Sequence, residues 1–210
     1  MADEADAPHI APLPLRDWSP EVGAAFAGMT PPPGSTYEAR RAKRQEGGKR
    51  VANAFSVFAH HPALTKAFLG FNRHLLYENT LDERIIELII LRISYLRNSL
   101  YEWAQHVPVA LEVGVTADEV DRVAAGPDAD GWAELDAAVL RAVDELRRDS
   151  IISPATWSTL TASFDTQQVL DLLFTIGAYD TLAVAFNCFG LELDPELEGA
   201  AFPADRPEND

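Results

Sequence analysis

The chain of 210 residues carries 17 Lys and Arg against 33 Asp and Glu, a formal charge of −16, and one cysteine. That excess of carboxylates leaves no basic face of the kind nucleic-acid binding by counterion release requires, and it opposes docking on anionic lipid. Cys188 alone provides no intrachain disulfide, no CxxC redox pair and no multi-cysteine zinc site.

A composition that is 47% hydrophobic and 24% charged fits a globular domain with an extension. The first residues are acidic where a signal peptide is basic. The longest apolar cluster, around residues 85 to 96, is interrupted by Glu87 and Arg92, short of the ~20 residues of a membrane span. These readings lead to the expectation of a cytoplasmic protein with no nucleic-acid and no membrane partner.

Residues 1 to 50 are rich in proline, including Pro31-Pro32-Pro33-Gly34, which removes donors and fixes dihedrals. The expectation is an extended arm with one short helix from Ser19 to Met29. Arg40, Arg41, Lys43, Arg44, Lys49 and Arg50 form a basic cluster in it, readable as a solvated loop, a subunit contact or a carboxylate-binding patch.

From Val51 the apolar period is helical. Val51, Ala54, Phe55 and Phe58 share a face, His60-His61-Pro62 breaks the run, and Leu64, Phe68, Phe71 and Leu75 form a second stripe. Thr80 with Glu83 has capping-box spacing and is expected to open the helix LDERIIELIILRISYL, apolar almost all round. A further helix is expected over Ser99 to Val113, closed by Gly114, and a short one capped by Thr116 with Glu119. Residues 130 to 149 alternate at helical spacing, with acids early and Arg147 and Arg148 late. Ser153-Pro154 starts another helix, and residues 166 to 188 form a last long apolar one. After Pro195 the tail is acidic and expected to be mobile. With no sustained period-two alternation the class is all-α. The expected organisation is an arm over 1 to 50, a helical domain over 51 to 193 and a tail over 194 to 210.

Several polar residues stand where packing alone does not call for them. Glu87 interrupts an apolar run and must lose hydration unless something pairs with it. Ser99, Glu102 and His106 fall within about 60° of one another on an ideal helix, a hydroxyl, a carboxyl and an imidazole along one stripe. Glu102 and His106 are an i,i+4 pair able to hydrogen-bond, an arrangement suited to general acid/base work, and also common on exposed helix surfaces. Trp103, beside Glu102, is placed to flank such a site. A metal site from Glu102, His106 and one of His60, His61 or His74 matches no established spacing. Cys188, in an apolar run, reads as a buried packing thiol.

The segment from about Leu81 to Val120 resembles the core of the carboxymuconolactone decarboxylase and alkylhydroperoxidase D (AhpD-like) superfamily. The likeness lies in a glutamate-bearing buried helix, a turn, a helix ending in His-x3-Ala-x3-Gly, and a capped short helix, with weaker similarity over 51 to 190. In the peroxidase branch the site reads Glu-x11-Cys-x2-Cys-x3-His. Here the same spacing holds Glu87, Ser99, Glu102 and His106, so the relay positions match and both thiols are replaced. Neither Ser99 nor Glu102 can stand in for a redox thiol.

The resemblance implies an AhpD-like helical bundle, a decarboxylase-like lyase or isomerase without cofactor or metal, and a small carboxylated lactone or related acid as substrate. It implies His106 as proton donor, Glu102 orienting it, Glu87 relaying or stabilising charge, and Ser99 donating a hydrogen bond to substrate. Arg92 and the basic cluster are candidates for the cation that anchors the carboxylate. A homo-oligomer, trimer or hexamer, is also implied. Two other readings are an alkylhydroperoxidase-like antioxidant protein with a degenerate redox site, using Cys188 alone, and a non-catalytic helical scaffold.

Overall fold

The structure, a computed structural model, describes residues 8–46 and 52–203. Among these residues there are ten α-helices and no strand. The described residues divide into two compact units, those up to 79 with 189–194 and those from 80 to 188 with 195–203.

In the first unit the proline-rich segment is packed rather than extended free. Helix α1, Pro20–Ala27, starts where expected, with Ser19 accepting from the Val22 N–H. A second helix, α2, Thr36–Glu46, was not expected from the sequence. Its start lies just past the triple proline, where the Ser35 hydroxyl accepts from the Glu38 N–H and the Glu38 carboxylate accepts from the Gly34 N–H, and proline density obscured that cap. Helices α3, Asn53–Phe58, and α4, Pro62–Tyr77, follow. The break between them is made by His61, whose Nδ1 accepts from the Leu64 N–H, with Pro62 in the first turn.

Aromatic anchors hold the segment down. Trp18 packs on Phe26 at 4.8 Å between centroids, Phe26 on Phe55 at 5.3 Å, and Tyr37 on Tyr77 at 5.3 Å. The Tyr77 hydroxyl donates to the Met29 carbonyl, and the Leu13 N–H to the Ser56 carbonyl. Of the basic cluster, Arg40 lies over the Tyr37 ring. Lys49 and Arg50, and the side chains of Arg41, Lys43 and Arg44, lie outside the described residues.

The second unit is built around α5, Glu83–Arg97, whose Leu88, Ile89, Ile90 and Leu91 have no exposure. Burying each such side chain stabilises by about 1.5–3 kcal/mol, so this helix is a centre that others surround. The N-cap is Asp82, accepting from the Arg84 N–H, and not Thr80. Thr80 instead gives both its N–H and its hydroxyl to Asp171, each at 2.7 Å. A tertiary acceptor outcompeted the local cap, which sequence spacing could not disclose.

Asn98, in the left-handed region at φ 56°, turns the chain into α6, Leu100–Glu112. Helix α7, Ala117–Ala125, has the expected Thr116–Glu119 capping box. Then come α8, Glu134–Asp149, and α9, Pro154–Ser163, with Ser153 capping and Pro154 first. Leu88, Leu91, Tyr95, Trp103, Val123 and Leu140 form one buried cluster between α5, α6, α7 and α8.

Two expectations change here. The tail after Pro195 is not loose throughout: Phe202 packs on Trp103 at 5.4 Å and on Tyr95 at 5.8 Å, an apolar anchor within an acidic segment. And α10, Thr166–Phe189, is by length and composition apolar enough to cross a membrane, although half of its apolar window is buried. Its carboxylates are used inside the unit, Asp171 by Thr80 and Asp180 by Arg97, as in a core helix.

Candidate functional site

Four of the singled-out residues meet in the second unit. Glu87 is carried inward by α5 and is 5% exposed. Ser99 is the N-cap residue of α6, and Glu102 and His106 follow on the same stripe. His106 Nδ1 lies 2.9 Å from Glu87 Oε2. Where Nδ1–H donates to the Glu87 carboxylate, a neutral imidazole keeps its lone pair on Nε2. The imidazole also packs on Tyr179 of α10, ring centroids 5.4 Å apart and nearly perpendicular.

The i,i+4 bond between Glu102 and His106 is therefore not made. Glu87, nineteen positions away in sequence, orients the imidazole instead, and the orienting role implied for Glu102 passes to it. An inter-helix carboxylate can approach the ring where the helix's own geometry aims Glu102 inward. Glu102 is 2% exposed, and neither of its oxygens has a hydrogen-bond partner in the protein. The Ser99 hydroxyl, with no exposure, is likewise without one. Burial, and then the charges of Asp180 and Glu87, push the Glu102 carboxyl well above its usual range, which favours its protonated form. A buried acid without a partner, beside an imidazole held by a carboxylate, offers a proton and a base at one place.

The other two named residues do different work. Arg92 is not available as an anchor for a substrate carboxylate. Its Nε and Nη2 donate to the two oxygens of Asp144, at 2.7 and 2.8 Å, and its Nη1 to the carbonyls of Val123 and Ala124. A Cβ on Gly126, at φ 98°, would lie 2.9 Å from that guanidinium, so the close approach needs glycine there. Trp103 does not flank the site: it is 3% exposed and packs on Tyr95 and Phe202. Cys188 is exposed rather than buried.

Of the histidines weighed as metal ligands, His60 lies 2.9 Å from the Ala11 carbonyl and His61 caps α4, both in the first unit. Among the described residues no group of three His, Cys, Asp or Glu side chains could hold a metal ion.

Sequence reading missed Asp180 and Tyr179. Asp180 accepts from Arg97 Nε at 2.5 Å and Nη2 at 2.7 Å, and its charge bears on Glu102. The signal was available: a carboxylate in an apolar helix, the same anomaly that drew attention to Glu87.

No curated protein matches the chain. Among solved structures, it is similar to an uncharacterised peroxidase-related protein from Ralstonia eutropha JMP134 described as an alkylhydroperoxidase AhpD core. The identity there is 20%, the TM-score 0.67, and the coverage 91% of this chain and 96% of that one. It is also similar to an uncharacterised peroxidase-related protein from Silicibacter sp. TM1040, at 16% identity and TM-score 0.66, covering 81% and 91%. A third is a cysteine-to-alanine variant of the debrominase Bmp8 in complex with 2,3,4-tribromopyrrole, at 14% identity and TM-score 0.67, covering 91% and 94%. At these identities the likeness is one of fold. The sequence profile of the Carboxymuconolactone decarboxylase family matches residues 62–145, a span that includes Glu87, Ser99, Glu102 and His106. Residues 62–145 thus match the Carboxymuconolactone decarboxylase family, and the chain has the all-helical fold of the AhpD-like structures.

Proposed function

We propose that this protein is a cofactor-independent acid/base enzyme of lyase or isomerase type acting on a small carboxylated lactone or a related acid. One observation carries the reading: the buried, unpartnered carboxyl of Glu102 lies on the same helix stripe as the imidazole that Glu87 holds.

In the lyase direction the bond between the carboxylate carbon and its neighbour breaks and CO2 leaves. The electron pair passes onto the conjugated carbonyl oxygen, and the resulting enolate takes a proton on carbon. His106 moves that proton through Nε2, Glu87 holds the ring, and Glu102 supplies acid. In the isomerase direction His106 Nε2 removes a proton next to the carbonyl and returns it elsewhere. Dithiol peroxide reduction has no support, because Ser99 and Glu102 occupy the thiol positions of the superfamily pattern.

The test follows CO2 release and deuterium uptake from solvent with carboxymuconolactone and with β-keto acids. His106→Ala and Glu102→Gln are expected to lower turnover about 100-fold or more, with Glu87→Gln in between and helical content unchanged. Wild-type protein that neither releases CO2 nor exchanges deuterium with any of these, or variants as active as wild type, would refute the reading.

A further inference from the structure

Ser99 occupies the N-cap of α6, where a serine hydroxyl ordinarily accepts from an N–H of the first turn. It makes no such bond. Its Oγ and both Glu102 oxygens are buried and unpartnered, and leaving buried polar groups unpaired opposes folding. Both side chains lie one turn apart on the stripe that ends at His106. Two donors are thus left over beside a base, the arrangement by which an enzyme holds charge that develops on oxygen during reaction. A buried carboxylic acid kept neutral serves as such a donor in other enzymes.

The surroundings select what these donors receive. Glu87 and Asp180 place negative charge near Glu102, and the cation of Asp180, Arg97, is committed to it through two bonds. A carboxylate brought to Glu102 would meet like charge. An uncharged oxygen would not.

We propose that the Ser99 hydroxyl and the carboxylic acid of Glu102 form a two-donor cradle for an uncharged carbonyl or enol oxygen of the substrate, whose carboxylate group binds away from it. The inference rests on the acid/base reading of the site. When His106 Nε2 takes the proton from the carbon next to the carbonyl, the C–H electron pair forms the C=C bond. The carbonyl π pair moves to the oxygen, where both donors hold it and the imidazolium formed at His106 offsets its charge. Of the four residues His106 keeps the most exposure, its side chain being 20% exposed.

Phenols, which mimic an enol, are the probes, with benzoate of similar size as the charged control. Binding of a fluorescent naphthol to the full-length protein near pH 7 should weaken about tenfold in Ser99→Ala and in Glu102→Met. It should stay within about threefold in Glu102→Gln, which keeps a neutral donor of the same shape. Benzoate should bind at least about tenfold more weakly than phenol. Circular dichroism establishes folding of each variant, and the Ser99→Ala result stands alone if Glu102→Met does not fold. Equal phenol affinity in wild type and Ser99→Ala, or tighter binding of benzoate than of phenol, would overturn the cradle. Solvent exchange that persists in that case leaves the acid/base reading intact, and phenol binding as expected without any exchange or CO2 release supports the cradle and removes that reading.

Discussion

A carboxyl group that must keep its proton to stay buried ties stability to pH in a definite direction. Burial and the neighbouring charges of Asp180 and Glu87 raise the Glu102 pKa in the folded state. The unfolded chain releases this proton near the ordinary glutamate value of about 4.3. The contribution is therefore fully present below that pH and is lost as pH rises through the folded value. Glu102→Gln removes this dependence. Urea unfolding of both proteins from pH 4 to 9 is expected to show the glutamine variant gaining on wild type as pH rises, and a pH-independent difference would disprove the neutral buried acid. The same residue limits what sequence spacing discloses. Position 102 was visible as a site member, but the i,i+4 rule pairs it with His106, and only the approach of α5 shows that Glu87 takes that bond.

Between elements, Arg92 is the clearest case of a charged residue that serves packing. It ties α5 to Asp144 of α8 and to two carbonyls at the end of α7. Asp144 retains 22% side-chain exposure and Arg92 8%, so removing one partner leaves a partly buried charge. Arg92→Met is expected to cost about 3 kcal/mol, toward the lower end for a broken buried pair. Thermal or urea denaturation checks this. A loss below about 1 kcal/mol would show the clamp to be dispensable. From sequence the residue read as a spare cation in an acidic protein, because its acceptors come from 31 to 52 positions away. The helices themselves were legible: Thr116 and Ser153 cap where expected, since capping is decided within one turn. Thr80 failed as a cap for the opposite reason, its hydroxyl being bound by Asp171 across the unit.

For the molecule as a whole, α10 presents Leu170, Phe174 and Val184 at 50%, 57% and 43% exposure. At 100° per residue these three fall within about 80° of arc. A stripe of this kind, on a helix whose other side is core, is covered by a second copy in our proposal of a homo-oligomer. Analytical ultracentrifugation is expected to give a mass above 23.0 kDa for wild type and a smaller one for Phe174→Lys with Val184→Lys. A monomeric wild type would end that proposal. The same helix shows how composition misled: the run at 85 to 96 drew the membrane question, while α10, with two aspartates in its length, is the helix apolar enough to pass the test.

By itself the sequence determined the all-α class, most helix boundaries and the spacing that singles out Glu87, Ser99, Glu102 and His106, because periodicity, caps and i,i+4 relations act over a few residues. Only tertiary structure decided which carboxylate holds the imidazole, that Ser99 and Glu102 are left as unpaired buried donors, and that Arg92, Trp103 and Phe202 belong to packing. Those outcomes depend on which helix faces meet. A buried polar group takes whichever partner the packing brings within hydrogen-bond reach, and no local pattern encodes that distance.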